Sequence, residues 1–503
     1  MGFAFEVKEC DLLGRIGALR VGGKSVETPY MFPVIHPVSQ IVPTSDLSAM
    51  GFRGLMTNSY IIHSRRRDEA LREGIHRLMD FDGILMTDSG GYQVLEYGDL
   101  ELGYREVASF QSRIGSDIAV TLDRPTGYPQ ERSVALDTVE YSLRNALATQ
   151  KEFGDKPTVW VGPVQGGLFS DLVAKSAKSL VAGGFPFLAL GSPVQVMENY
   201  MFADLVGMVM AAKRAIPYSV PLHLFGAGHP LTMSLAVALG CDTFDSASYV
   251  IFARTGRYMS RSGVMTLNSM KYLPCSCPIC AKTSVRGLLD LEHQERTRQL
   301  SMHNLWVLRE ELEACKEAIS EGRLWDLVEE RSMAHPRLRE AFLELAKYSE
   351  DLVPGTPALK ERGLFVRSAG DLRRPELLAA ERRLSQVYRR GSRVAVISSG
   401  MEGEPKAVGR EHGDAYGNHP ILGPFPAELE YHYPFSQTEI GAMVPLLTPA
   451  ESARRLRLLG YSTVKSATKQ EPSKKKVRSR PTRRGASLSL PSSSARSRSP
   501  RRP

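Results

Sequence analysis

The chain has 503 residues, 42% apolar and 8% aromatic, with 64 basic and 55 acidic side chains for a formal net charge of +9. This is enough apolar mass for two or three domains, one of which can be a barrel of about 250 residues, and it excludes a fibre or a mini-protein. No run of about 18 uncharged apolar residues marks a membrane span. The N-terminus has no basic region leading into an apolar stretch, and six cysteines in this length make no disulfide framework, so a cytoplasmic protein is expected.

In chain order, a glycine-containing β prelude over 3–29 (Gly14, Gly17, Gly22, Gly23) is expected to cap the strands after it. Short apolar and β-branched runs then recur at 30–34, 53–59, 83–88, 117–123, 157–165, 186–192, 221–228 and 241–246, mostly separated by amphipathic stretches. This is a parallel βα succession. A (β/α)8 TIM barrel is favoured over an open doubly wound sheet because polar and glycine residues collect just after the strands. These are Asp88-Ser89-Gly90-Gly91, Asp123, Gln165-Gly166-Gly167, Gly191-Ser192, Gly226-Ala227-Gly228 and Asp245-Ser246. In a barrel such ends meet at one mouth. Either aspartate alone could simply cap a helix. Two of them, with glycine neighbours and the amide of Gln165 between, suggest a pocket. Asp88 and Asp245 suit a nucleophile and a partner acid working at a sugar anomeric carbon.

After the last strand comes Cys275-Ser-Cys277-Pro-Ile-Cys280, and then His303 on a long amphipathic helix with Leu305, Leu308, Leu312 and Ala318 on one face. Three thiolates and an imidazole form a closed tetrahedral shell, the preference of structural Zn2+. His293 competes as the fourth ligand. His303 is favoured because the longer loop leaves room for a turn before the helix. The expected organisation is a catalytic barrel domain over 1–335, including the metal-binding insert at 275–303, then a smaller α+β domain over 336–462 and a disordered basic tail over 463–503. Residues 465–503 carry thirteen Lys and Arg against the single acid Glu471, so the rest of the chain is near neutral. Such a tail suits a polyanion partner, most often nucleic acid, or serves solubility alone.

The ordered motifs TDSGGYQ (87–93), Asp123, VQGG (164–167), HLFGAGHP (223–230), FDSAS (244–248), RTGR (254–257) and the cysteine cluster, spanning about 5–335, resemble the tRNA-guanine transglycosylases. LRRPELLAAERRL (372–384) and YHYPFSQTEIGA (431–442) are similar to the C-terminal region of the archaeal branch. The resemblance implies a pentosyltransferase that exchanges guanine at position 15 of the tRNA D-arm for 7-cyano-7-deazaguanine, in archaeosine biosynthesis, through a covalent aspartyl-ribosyl intermediate. It makes Asp245 the nucleophile and Asp88 the general acid/base. Asp123 and Gln165 would bind the guanine-like edge, Ser89, Gly191 and Ser192 would complete the pocket, and Tyr92 would stack on the base. Arg254 and Arg257 would hold phosphates. The target guanosine must be extruded to reach such a pocket. The expected partners are tRNA, the deazaguanine base and a second copy in a homodimer, with no membrane.

Two departures qualify the resemblance. Gly191-Ser192-Pro193-Val194 stands where archaeal relatives have two glycines followed by residues whose N–H groups meet the nitrile, and proline has no N–H. The C-terminal RNA-binding module of typical archaeal members is also missing, so the basic tail or a separate RNA-binding protein docking on 340–460 is expected to supply tRNA affinity. Readings of other kinds are a non-catalytic accessory subunit and an archaeosine synthase paralogue. Both catalytic carboxylates and the intact DSGGYQ segment favour the enzyme.

Overall fold

The computed structural model describes residues 2–91, 102–387, 394–398 and 414–467. Strands β1 (Phe3–Asp11), β2 (Gly14–Val21) and β3 (Lys24–Thr28) form an antiparallel meander. Its Leu19, Val21 and Val26 pack with Phe32, Ile84, Ile118, Val159 and Phe187 of the following strands, and Phe3 stacks on Phe187 at 5.9 Å. Most of these partners sit at or near strand starts, so the meander plugs the N-terminal end of the barrel.

The barrel strands are β4 (Tyr30–Pro33), β5 (Gly54–Asn58), β6 (Ile84–Asp88), β7 (Ile118–Val120), β8 (Val159–Val164), β9 (Phe187–Leu190), β10 (Leu222–Leu224) and β11 (Thr243–Ser246). Each lies inside one of the predicted runs. All are parallel, in the order β4-β11-β10-β9-β8-β7-β6-β5. A parallel bridge between Val34 and Met56, with Ile35 N donating to Met56 O at 2.8 Å, joins the two edge strands. Most of the strands are mainly apolar because both faces are covered, one by interior side chains and the other by helices such as Arg132–Phe153, Ser170–Ala182 and Phe202–Lys213.

Arg15 of β2 is buried and ties the plug to the barrel. Its Nε donates to Asp242 Oδ1 at 2.8 Å, and Asp242 Oδ2 accepts from Leu222 N at 2.8 Å, where β10 begins. The long helix His293–Ser320 and the helices Leu324–Ser332 and Pro336–Leu345 continue the same apolar cluster through Leu352. Beyond it lies an α+β region. Leu364–Val366 pairs with Thr438–Ile440, and a four-stranded sheet runs in the order Gly423–Pro426, Asp414–His419, Val394–Ser398, Thr463–Ala467. Buried charges join this region to the body: Arg374 contacts Asp326 and Glu376 at 2.9 Å each, and Lys360 reaches both Glu376 (2.5 Å) and Asp11 (3.8 Å).

One expectation needs correcting. Residues 463–467 fall in the basic tail by composition, but Thr463–Ala467 is a strand paired in parallel with Val394–Ser398. The ladder gives its backbone groups partners that a solvated tail lacks. The remainder of the predicted tail, from 468 on, lies outside the described residues. Among the described residues no helix is long and apolar enough to cross a membrane.

Arg15→Met leaves the Asp242 carboxylate buried without its cation, and a loss of about 3–5 kcal/mol is expected from denaturant unfolding. Arg15→Met with Asp242→Asn should recover part of that loss. Equal losses in the single and double variants would contradict the pairing.

Candidate active site and metal centre

A cavity of about 1160 Å³ opens at the C-terminal ends of the strands, and Asp88, Asp123, Gln165, Gly191, Ser192, Asp245, Arg254 and Arg257 all contribute to its lining. The predicted site residues thus converge, apart from Ser89, which is buried behind the wall, and Tyr92, which lies outside the described residues.

Asp245 is held from one side. Its Oδ1 accepts from Gly226 N at 2.9 Å and faces His223 Nε2 at 3.0 Å. His223 is fully buried in β10, opposite Thr243 in register, with Nδ1 2.9 Å from Thr243 Oγ1. A carboxylate at Oδ1 requires the proton on Nε2, so Nδ1 can accept from the threonine hydroxyl. Among the described residues no donor is directed at Oδ2. Asp245 is therefore not the helix cap that it could have been. The Ser246 Oγ accepts instead from Ser248 N, the first residue of that helix, at 2.9 Å.

Asp88 ends β6 in register with Asn58 of β5, whose Nδ2 donates to Oδ2 at 3.0 Å. The nearby backbone N–H groups of Ser89 and Gly90 favour its charged form. Burial, reinforced by the negative charges of Asp123 and Asp245, pushes its pKa up to about 7. The group can therefore both give and take a proton near neutrality.

Asp123 and Gln165 form one network. Gln165 Nε2 donates to Asp123 Oδ2 at 2.7 Å, while its Oε1 accepts from Thr126 N (3.1 Å), Thr126 Oγ1 (3.3 Å) and Ser192 Oγ (2.9 Å). These contacts fix which end of the amide faces which way. Ser89 Oγ lies 3.4 Å from Asp123 Oδ1, and burial pushes the Asp123 pKa up to about 6. Two glycines are obligatory here on space alone. A Cβ at Gly91 would stand 2.4 Å from Asp123 Oδ1, and one at Gly191 would stand 2.2 Å from Gln165 Nε2.

The cysteines and His303 meet as the spacing predicted, with their ligand atoms all within 4.8 Å of one another. Cys277 and Cys280 Sγ lie 3.5 and 3.3 Å from His303 Nδ1. A tetrahedral ion with bonds of about 2.0–2.3 Å sets its ligand atoms roughly 3.5–4 Å apart, so the cluster can hold a metal ion. His303 Nε2 lies 2.9 Å from Met259 O; donating there leaves Nδ1 free as the ligand atom, and Tyr258 stacks on the ring at 3.7 Å. His293, the competing ligand, starts the helix about 15 Å further along its axis, exposed and beside Arg296.

A family model described as TGT, queuine tRNA-ribosyltransferase, matches residues 10–337. The tRNA-guanine(15) transglycosylase of Thermococcus onnurineus is 41% identical over 440 residues, 87% of this chain and 71% of that protein. The chain belongs to this transglycosylase family. Relatives bearing the same name from Methanopyrus kandleri (39% over 446 residues, 86% of this chain and 95% of that one) and Sulfolobus acidocaldarius (35% over 447 residues, 88% and 89%) are also similar. Sequence reasoning missed two residues of this candidate site, His223 and Asn58. The alternation Leu222-His223-Leu224 was the available signal, since it sends the imidazole to the opposite side of the strand from its leucine neighbours.

Cys280→Ala should lower bound metal from about one equivalent and lower the Tm of the transglycosylase, measured by elemental analysis and thermal unfolding. Full stability without metal would contradict a structural role for the cluster.

Proposed function

We propose that this transglycosylase replaces guanine 15 of the tRNA D-arm by 7-cyano-7-deazaguanine, on the route to archaeosine, through a covalent aspartyl-ribosyl intermediate. The observation that carries the reading is the one-sided anchoring of Asp245, which holds Oδ1 between His223 and Gly226 and leaves Oδ2 for the ribose. In this reading Asp245 Oδ2 attacks C1′, the glycosidic bond breaks, and its electron pair leaves with guanine. Asp88 protonates the departing base and then takes the proton from the incoming one, which frees its ring nitrogen to displace Asp245. Protons and bonds balance over the cycle.

Asp123 accepts from the N1–H and amino group of the base, and the Gln165 amide donates to its carbonyl. Guanine and its 7-deaza analogue share this edge, which is why one pocket can serve leaving and entering bases. Tyr92, carried over from the sequence resemblance, stacks on the ring. Ser192, held at φ +63, and Gly191 close the pocket wall. Pro193 stands at the first position of the following helix, so the unpaired N–H groups available to a nitrile begin at Val194. Arg254 and Arg257 take backbone phosphates.

Zn2+ is the metal that the three cysteines and His303 suit, and it would act structurally. It would fix the hairpin that carries Arg257, because His303 contacts Met259 O two residues along. Beyond the cavity, tRNA affinity would come from the basic residues after 468 or from a separate RNA-binding protein, with a homodimer as the working unit.

The reading is tested with tRNA carrying radiolabelled guanine at position 15. Label should be released on adding 7-cyano-7-deazaguanine, and release only from another position, or only with another base, would overturn the assignment. Asp88→Asn should lower kcat by about 10²- to 10⁴-fold. Because the folded-state pKa of Asp88 is raised to about 7 from 3.8, its burial weakens the fold progressively as pH rises from about 4 through 7. Asp88→Asn should therefore gain stability relative to wild type by roughly 4 kcal/mol as pH rises from about 4 to 8, with no such pH-dependent gain below pH 4. For His223, Gln keeps a donor near the Nε2 position and Leu does not. His223→Leu should lose kcat by at least about tenfold with tRNA KM little changed, and His223→Gln should recover much of it. Equal losses in both would remove the positioning role.

A further inference from the structure

Tyr200 is a residue that neither its backbone nor its packing explains. The helix Pro193–Glu198 ends in a motif in which Tyr200 N donates to Met197 O and Met201 N donates to Val196 O, each at 3.0 Å. The residue at the Tyr200 position of this motif adopts left-handed backbone, here φ +57, and glycine or asparagine normally fills it because a bulky side chain is sterically penalised there. Burial does not offset the penalty, since Tyr200 is 54% exposed. Its ring lies 5.0 Å from the His335 imidazole, tilted by 35°, and 5.7 Å from Phe202. His335 is itself fixed, its Nδ1 accepting from Arg337 N at 3.1 Å where the next helix begins.

Tyr200, Phe202 and His335 line the same cavity as Asp88, Asp123 and Asp245. That cavity, at about 1160 Å³, exceeds the roughly 300–1,000 Å³ that suffices for one small ligand. A residue kept against its local backbone preference, with an exposed aromatic face on the rim of a reaction cavity, is best accounted for by something that binds to that face. We propose that Tyr200, backed by His335, is the stacking platform for the base of a nucleotide adjoining the extruded guanosine. The proposal rests on the reading of the cavity as the site of base exchange in RNA. Flipping the guanosine out also strips its neighbour of a stacking partner, and an aromatic side chain can replace it whatever the base. Exposed Glu198, also in the lining, repels phosphate, so a base rather than the sugar–phosphate backbone approaches this part of the wall.

Three variants separate ring from backbone. Tyr200→Gly relieves the left-handed strain, Tyr200→Asn also tolerates it without adding glycine's freedom, and Tyr200→Phe keeps the ring. The expected result with a tRNA transcript containing G15 is a KM raised about tenfold for both Gly and Asn, with no parallel rise in KM for the free base, and near wild-type values for Phe. The Tm of Tyr200→Gly should equal or exceed that of wild type. An unchanged tRNA KM, a Phe variant as weak as Gly, or a lowered Tm in Tyr200→Gly that marks the ring as a structural clasp would each overturn the proposal. Filter binding of the same tRNA keeps the two readings apart. Wild type that releases no guanine fails the exchange reading, whereas active wild type with equal affinity in all three variants fails the platform alone.

Discussion

Everything at the mouth of this barrel follows from having brought three carboxylates, Asp88, Asp123 and Asp245, to a site largely shielded from water. Like charges in such a place repel and lose hydration, so each needs its own compensation. Asp245 takes two donors on a single oxygen. Asp123 takes an amide whose other end is held by Thr126 and Ser192. Asp88 has Asn58 at one oxygen and two backbone N–H groups beside it, and because burial and the charges of Asp123 and Asp245 outweigh the N–H groups its pKa stands at about 7. In the proposed exchange the same environment would supply a fixed oxygen, an acceptor edge and a proton carrier. That division of labour is what base exchange at an anomeric carbon requires.

The precision of the mouth depends on contacts far from it. Plugging the N-terminal end with the first three strands and locking them through Arg15 and Asp242 holds the starts of β10 and β11 together. The register of these two strands, His223 against Thr243, then sets where the Asp245 carboxylate stands. A second set of buried charges, Lys360, Arg374, Glu376 and Asp326, joins the C-terminal region to the helices beside the barrel. His335, which backs Tyr200 at the cavity rim, belongs to that helical layer. The C-terminal half is therefore mechanically connected to the cavity.

Much of this was legible in the sequence for a physical reason. Strands covered on both faces appear as apolar runs, and the glycines and acids that come after them mark one end. The cysteine cluster was legible because its ligand spacing is local. What escaped was non-local. His223 looks like any histidine in an apolar run until β10 and β11 pair and place it against Asp245. Asn58 acquires meaning only opposite Asp88. Thr463–Ala467 carries Lys465 and leads into a basic stretch, so it reads as tail, and only the ladder to Val394–Ser398 makes it a strand. Tyr200 lies in a short turn whose left-handed backbone no propensity would assign to tyrosine.

The central claim is that the ribose is passed through an ester on Asp245. The most direct measurement is to quench the enzyme with its tRNA under denaturing conditions, digest both, and locate the nucleotide-bearing peptide by mass spectrometry. The account predicts a single ribosylated aspartate, Asp245. A nucleotide found on Asp88, or turnover with no adduct at any quench time, would contradict it.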